Sequence, residues 1–302
     1  MDSTKAPASR GIRTTFPDEP PGFTGTRPSA SVARIRYELP GDLEPASLNA
    51  RRNFYRHRFD VGAAKRWMAR PGGDRAYALI LGRHSGIYPG RFRHLKNVPL
   101  IIDDVEGPAG LRPFLLKYLP EGVYYDRNVY RSLAEARAAG LDYTHAWRSR
   151  QYLGQELAFD LDPENLDCPI HGDIEAKMKR HQGLSFCDWE FDEVRRQAGD
   201  LFDRVSKSWS ELMIVYSGRG FHVHVMDDDA FRLSRKERGR IAQSYARRFA
   251  IDEWVTSGEM RLIRLPYSLH GMVSRVVVPV PRKDLDRFTY DDPRALPTAR
   301  RA

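Results

Sequence analysis

The sequence predicts an α+β (mixed α/β) fold, because short apolar strands and longer amphipathic helices follow one another without a regular βαβ rhythm. Leu157–Leu161 (LAFDL) and Leu212–Tyr216 (LMIVY) are apolar runs of strand length, the pattern of buried strands. Between them Phe191, Val194, Leu201, Phe202, Val205 and Trp209 recur near helical spacing and predict a core-facing helix.

The remaining elements follow the same logic. Residues 75–81 (RAYALIL) and 122–125 read as strands, and 107–119 as a short helix closed before Pro120. Phe221–Val225 alternates cleanly after a Ser-Gly-Arg-Gly turn, which predicts the second strand of a hairpin with Leu212–Tyr216. Ser234 with Glu237 is a capping-box signature for a basic helix running to about Phe249. Residues 275–280 are β-branched and predict a final strand. Residues 1–45 hold 7 of the 20 prolines, with Ser, Thr and Gly, and are expected to be a flexible tail with one short strand at 31–37. A globular domain is expected over 46–290, with a helical insertion at 165–210, and a second tail over 291–302.

The 302-residue chain is long enough for a substantial core, and it carries a net charge of +9. Residues 1–50 hold six basic and six acidic side chains, so the excess lies in the globular body. A basic body suits a polyanion, since Lys and Arg release counterions when they neutralise phosphates. No apolar run is long enough to span a bilayer and no signal peptide begins the chain, so a cytoplasmic, nucleoid-associated location is expected. The two cysteines cannot supply the four thiolates of an internal iron–sulfur cluster. A P-loop motif is absent as well.

Three segments carry chemistry. Asp160 and Asp162 close the LAFDL strand; residues i and i+2 of a strand face one side, so both carboxylates project together. Like charges that close repel, and a hard divalent cation such as Mg2+ or Mn2+ resolves the conflict. Residues 217–225 (SGRGFHVHV) place Ser217, Gly218 and Arg219 on a turn suited to phosphate, followed by His222 and His224 on one strand face. Residues 251–270 (IDEWVTSGEMRLIRLPYSLH) contribute Asp252, Arg261, Arg264 and His270. Asp252 also has the bland reading of a helix N-cap.

In this order the three segments resemble the motifs of the archaeal and eukaryotic primase small subunit, within the archaeo-eukaryotic primase superfamily. Weaker similarity extends to residues 122–130 (GVYYDRNVY) and 91–95 (RFRHL), so the resemblance covers about 51–280. It implies a primase catalytic core, a mixed sheet flanked by helices, that joins nucleotides on a single-stranded DNA template. Asp160, Asp162 and Asp252 would bind Mg2+ or Mn2+; Ser217, Gly218, Arg219, His222, Arg264 and His270 would hold the NTP or dNTP, with Arg93 a further contact. The turn in SGRG is one residue shorter than in many members of the family.

The family also places a zinc site after its first motif, which here implies Cys168, His171, His181 and Cys187. Its last pair usually reads C-x-x-C, whereas Cys187 is followed at that spacing by Glu190. A large iron–sulfur subunit is the partner the resemblance implies. Two other readings remain open at this point: a repair or plasmid-type primase–polymerase, and a non-catalytic nucleic-acid-binding subunit. Intact carboxylates in all three segments weigh against the second of these.

Overall fold

A computed structural model describes residues 37–69 and 71–298. The strand expected at 31–37 lies, apart from Tyr37, outside the described residues. Two four-stranded sheets organise the chain. The first has the order Leu100–Ile102, Tyr77–Ile80, Gly122–Asp126, Leu262–Arg264. The second runs Val278–Val280, Leu212–Tyr216, Phe221–Val225, Leu157–Leu161. The α+β class is as expected, but pairing within both sheets is antiparallel rather than mixed.

One apolar core serves both sheets. Tyr77, Leu79 and Val123 of the first sheet and Phe159, Ile214 and Val223 of the second belong to a single buried cluster. The helix Asp188–Val205 covers the second sheet with the stripe read from the sequence, burying Phe191, Val194, Leu201 and Val205. The other face of the first sheet, with Ala78 and Ile101, packs on Leu133 and Ala136 of the short helix Leu133–Ala138. Ser234 and Glu237 make the expected capping box, and the helix Arg235–Ala246 ends slightly earlier than predicted.

The expected last strand is two strands. Arg275–Val276 pairs with Leu269–His270, whereas Val278–Val280 pairs with Leu212–Tyr216. Between them Val277 donates to the Ser268 carbonyl at 2.9 Å. Pro279, which has no N–H, is tolerated because its strand is the edge of the sheet. Residues 37–46 lie against the body: Leu43 is buried and the Ala46 N–H donates to Gly271 at 2.8 Å. At the other terminus Ala295 is buried and accepts from Val276 at 2.7 Å.

The Leu157–Leu161 strand is an edge strand, and both of its ends carry acidic groups. At its start Glu156 is buried and receives Arg75 at 3.1 Å, Tyr125 Oη at 2.8 Å and His224 Nδ1 at 2.5 Å. Burial opposes its ionisation, but the His224 contact, with Arg75 and Tyr125, outweighs it and holds the carboxyl at about 2. Arg127 and Arg238 add donors to the Glu156 backbone carbonyl at 3.1 and 3.2 Å. Removing one member of a buried charged network costs about 3–5 kcal/mol. Glu156→Ala is therefore expected to lower the urea unfolding free energy by about that amount. Glu156→Gln should lose less, and equal midpoints for wild type and the alanine variant would contradict the network's role.

Candidate active site and metal centre

The edge strand would leave its outer backbone groups unpaired, and the segment that follows the Arg235–Ala246 helix covers them. Leu161 bridges to Ile251, and the Asp252 N–H donates to the Asp160 carbonyl at 2.8 Å. Asp252 thus arrives beside Asp160 and Asp162 from a segment 90 residues away in sequence, as counted from Asp162. It is also an N-cap: Oδ1 accepts from Trp254 at 2.7 Å and Val255 at 3.1 Å, opening the helix Glu253–Ser257. The bland and the chemical readings of this residue are compatible, because only one carboxylate oxygen is used.

Across the sheet, Asp160 is in register with His222, whose Nε2 lies 3.3 Å from Asp160 Oδ1. That approach is off-line for a hydrogen bond, and Oδ1 is buried without a donor. Burial first, then the charges of Asp162, Asp252 and Glu164, push the Asp160 carboxyl well above its ordinary range. Asp162 is raised to about 7, by burial and then by Glu164, with Arg219 and Arg264 opposing. His222 and His270 are pushed well below the usual imidazole range, chiefly by burial, so both are neutral near pH 7. The three aspartates converge, although their carboxylate oxygens do not all lie within 4.8 Å of one another.

The turn between Leu212–Tyr216 and Phe221–Val225 is built to fit this space. Gly220 donates to Ser217 Oγ at 3.1 Å, and Tyr216 Oη donates to the Gly218 carbonyl at 2.6 Å. Gly218 has φ of 108°, and a Cβ there would stand 2.5 Å from the Cβ of His270. At Gly220 a Cβ would fall 2.1 Å from the Leu161 carbonyl oxygen, so only glycine lets the turn approach the aspartate-bearing strand. Arg219 is buried and held by Glu164 through both guanidinium nitrogens, NH1 at 3.4 Å, with its plane near Phe186. Arg264 lies over the Tyr124 ring at 4.7 Å and forms no ion pair with a carboxylate of the described residues. His270 Nδ1 is buried without a partner.

Arg93 is exposed on the short 3-10 helix Gly90–Leu95, and no contact joins it to the aspartates. Two features escaped sequence reasoning. Glu164 sits in a turn that reads as solvated, yet it supplies a fourth carboxylate. Glu121, at the start of a predicted strand, orders the loop holding His84 and Ser85: it accepts from Ser85 N at 2.7 Å and meets His84 Nδ1 at 2.9 Å. His84 is among the charges that act on His270.

The metal-type cluster differs by one ligand from expectation. Cys168, His171, Cys187 and Glu190 present donor atoms mutually within 4.8 Å, the one such group found among the described residues. His181 is not part of it: it is exposed and has φ of 59° just past the helix Ile174–Lys179. The first turn of Asp188–Val205 directs Glu190 inward instead, where its Oε2 accepts from Cys187 N at 3.0 Å. Cys168 Sγ accepts from the N–H groups of Ile170 and His171 at 3.4 and 3.3 Å, as a thiolate ligand would. Burial first raises the Cys187 thiol to about 11, so without a cation this sulfur keeps its proton, which a bound metal would have to displace.

Because the folded-state carboxyls of Asp160 and Asp162 are raised, the folded chain binds more protons than the unfolded chain above about pH 4. Their contribution to stability therefore falls as pH rises from about 4 through the folded value of about 7 for Asp162. Melting curves without divalent cation are expected to show this decline, and Asp162→Asn to reduce it. Added Mg2+ or Mn2+ should restore stability above pH 7 in wild type but less in the variant. A wild-type profile that is flat over this range and unmoved by cation would contradict the coupling.

No family model matches the chain. It is 48% identical over 261 residues to an "Uncharacterized DNA primase small subunit-like protein" of Archaeoglobus fulgidus, covering 86% of this chain and 92% of the relative. It is 25% identical over 221 residues to the DNA primase small subunit PriS of Pyrobaculum aerophilum, with 59% and 65% covered. Against PriS of Pyrobaculum calidifontis the values are 27% over 209 residues, with 53% and 62% covered. The chain thus spans just under two thirds of the length of these PriS proteins. Among solved structures it aligns with the "Polymerase Domain from Mycobacterium tuberculosis Ligase D in complex with DNA" at 16% identity and a TM-score of 0.46, covering 87% and 91%. With near-complete coverage at 48% identity to the Archaeoglobus protein, the chain belongs to the archaeo-eukaryotic primase small-subunit family.

Proposed function

We propose that the chain is a DNA-directed nucleotidyltransferase that builds primers on single-stranded DNA. The observation that carries this reading is the set of converging acidic groups, Asp160, Asp162 and Asp252, with a buried Asp160 oxygen that has no donor. A binding module gains nothing from such a cluster facing a phosphate chain. A hard divalent cation fits the donor set, with Asp160, Asp162 and the free oxygen of Asp252 to hold it. Bound there, Mg2+ or Mn2+ would lower the pKa of an attacking 3′-hydroxyl and offset charge on the departing pyrophosphate.

The chain's own groups then divide the work. Arg264, which has no carboxylate partner among the described residues, offers its guanidinium to the triphosphate. Arg219 is already charged and oriented, and an incoming phosphate competes with Glu164 for it. His222 and His270, neutral at pH 7, can donate hydrogen bonds to phosphate without adding charge. Ser217 and the Gly218–Gly220 turn set the backbone against the nucleotide. A large iron–sulfur subunit is the partner this reading carries, because starting a chain requires two nucleotides to be ordered at once.

The deciding experiment is labelled nucleotide incorporation on single-stranded DNA, with and without an annealed primer. Wild type is expected to extend the primer, and Asp160→Ala, Asp162→Ala and Asp252→Ala each to lose activity by orders of magnitude while staying folded. Near-normal activity in any one of them removes that residue from the site. Arg264→Ala and His270→Ala should raise the Michaelis constant for nucleotide about ten- to hundredfold, with template affinity unchanged.

At the second cluster we propose a structural Zn2+ held by Cys168, His171 and Cys187, with Glu190 as the fourth ligand. The Lys177 ammonium, buried against the other oxygen of Glu190, would keep that carboxylate oriented. Elemental analysis should find about one zinc per chain, lost in Cys168→Ser and Cys187→Ser and kept in His181→Ala. Loss of zinc in the His181 variant would reinstate the ligand set that the resemblance implies.

A further inference from the structure

A groove of about 580 Å³ lies at the opposite end of the aspartate-bearing strand, lined in part by Trp147, Tyr152, Leu153, Arg232 and Arg235. Its apolar groups are unusually open: Trp147, Tyr152 and Leu153 are 44%, 36% and 37% exposed. Guanidinium groups are interleaved with them. Arg148 sits over the Trp147 ring at 5.1 Å, and Arg150 and Arg232 are exposed nearby in sequence or on the groove wall. None of Arg148, Arg150 and Arg232 pairs with a carboxylate of the described residues, whereas Arg235 is matched by Glu259. Of the other acids on these segments, Glu237 is engaged at the Ser234 cap, Asp142 with Thr144 and His145, and Asp227 with Ser210 and Glu211, while Asp228 and Asp229 are exposed on the turn before Arg232.

We infer that this groove seats single-stranded nucleic acid, its bases stacking on Trp147 and Tyr152 and its phosphates meeting Arg148, Arg150 and Arg232. Alternating aromatic planes and unpaired guanidiniums suit a polynucleotide strand, in which every base offers a π-face and every linkage a charge. Trp, Tyr and Arg are also common at protein interfaces, so it is the guanidiniums without carboxylate partners among the described residues that favour a polyanion. Tyr152 packs against the buried Tyr130 in a tilted arrangement, with ring centroids 6.0 Å apart.

Two elements join the groove to the carboxylates. Gln155 lines the groove and Asp160 lies five residues on, at most about 17 Å of strand. Ser257 also lines it, at the far end of the helix that Asp252 caps, about 8 Å along the helix axis. At the roughly 3.4 Å per nucleotide of a duplex strand, the larger distance is about five nucleotides. A strand held in the groove is therefore within a few nucleotides of the proposed reaction centre; its assignment as template or product rests on the nucleotidyltransferase reading, but binding itself does not.

The test uses the full chain and fluorescently labelled oligo-dT and oligo-U, with anisotropy read in the absence of nucleotide and added Mg2+. Trp147→Ala and Tyr152→Ala should each weaken binding about five- to hundredfold, and Trp147→Phe should recover most of the loss. Arg232→Glu should flatten the salt dependence. A larger loss on DNA assigns the groove to the template, and a larger loss on RNA to the growing strand. Unchanged affinity for both oligomers, or an equal loss on blunt duplex, overturns the inference. Primer extension is scored separately on the same preparations. Extension by wild type with normal binding by the variants sinks the groove alone; weakened binding in the variants with no extension by wild type sinks the catalytic reading alone.

Discussion

A single backbone hydrogen bond, from Asp252 N–H to the Asp160 carbonyl, fixes the geometry on which the candidate site depends. The strand that carries Asp160 is an edge, and an uncovered edge is an open template for association. Covering it with residues 251–252 satisfies the backbone and, in the same act, delivers a third carboxylate. The helix that follows needs an N-cap, and Asp252 meets that need with one oxygen while leaving the other free. Structural demand and chemical demand fall on one side chain without conflict.

The glycines of the Ser217–Gly220 turn depend on that geometry. The turn must pass between the Leu161 carbonyl on one side and His270 on the other, and a single methyl at Gly220 or Gly218 would collide with one of them. The approach closes the pocket around Arg219, which is held by Glu164. A buried guanidinium held by a partly exposed carboxylate is charged and oriented; under the proposed function a nucleotide phosphate would replace the carboxylate without having to order the arginine afresh.

Much of this was legible in the residue pattern, and the reasons for the remainder are specific. Leu157–Leu161, Leu212–Tyr216 and Phe221–Val225 were readable because buried strands announce themselves through uninterrupted or alternating apolar residues. The two-way split of residues 275–280 was not, because Val276 and Val278 look alike in sequence while their strand partners are Leu269 and Tyr216. Register on separate sheets is a property of the partners. The metal-type cluster shows the same limit: the resemblance implied His181, but helix geometry places N3 of Asp188–Val205 against Cys187, and N3 is Glu190. The carboxylate stood at the position where the family's last cysteine belongs, so the departure itself was the clue. Glu164 and Glu121 were missed because a lone acid in a turn or before a strand has no periodic signature.

The two ends of the Leu157–Leu161 strand show what separates structural acids from reactive ones. Glu156 and Asp160 are both withdrawn from solvent, and burial acts on each in the same direction. Their carboxyls nevertheless move oppositely, because Glu156 is given Arg75, Tyr125 and His224 whereas Asp160 is given further carboxylates and a histidine that stays neutral. The fold evidently can neutralise a buried acid on this strand, and does so at one end. Withholding the same treatment at the other end leaves an excess of negative charge that the described residues do not neutralise. His222 and His224 make the contrast sharp: two residues apart on the same strand, one stands against a saturated carboxylate and the other against a starved one. Placement of positive charge, more than burial, therefore marks the end of the strand where a cation and its bound phosphates would belong.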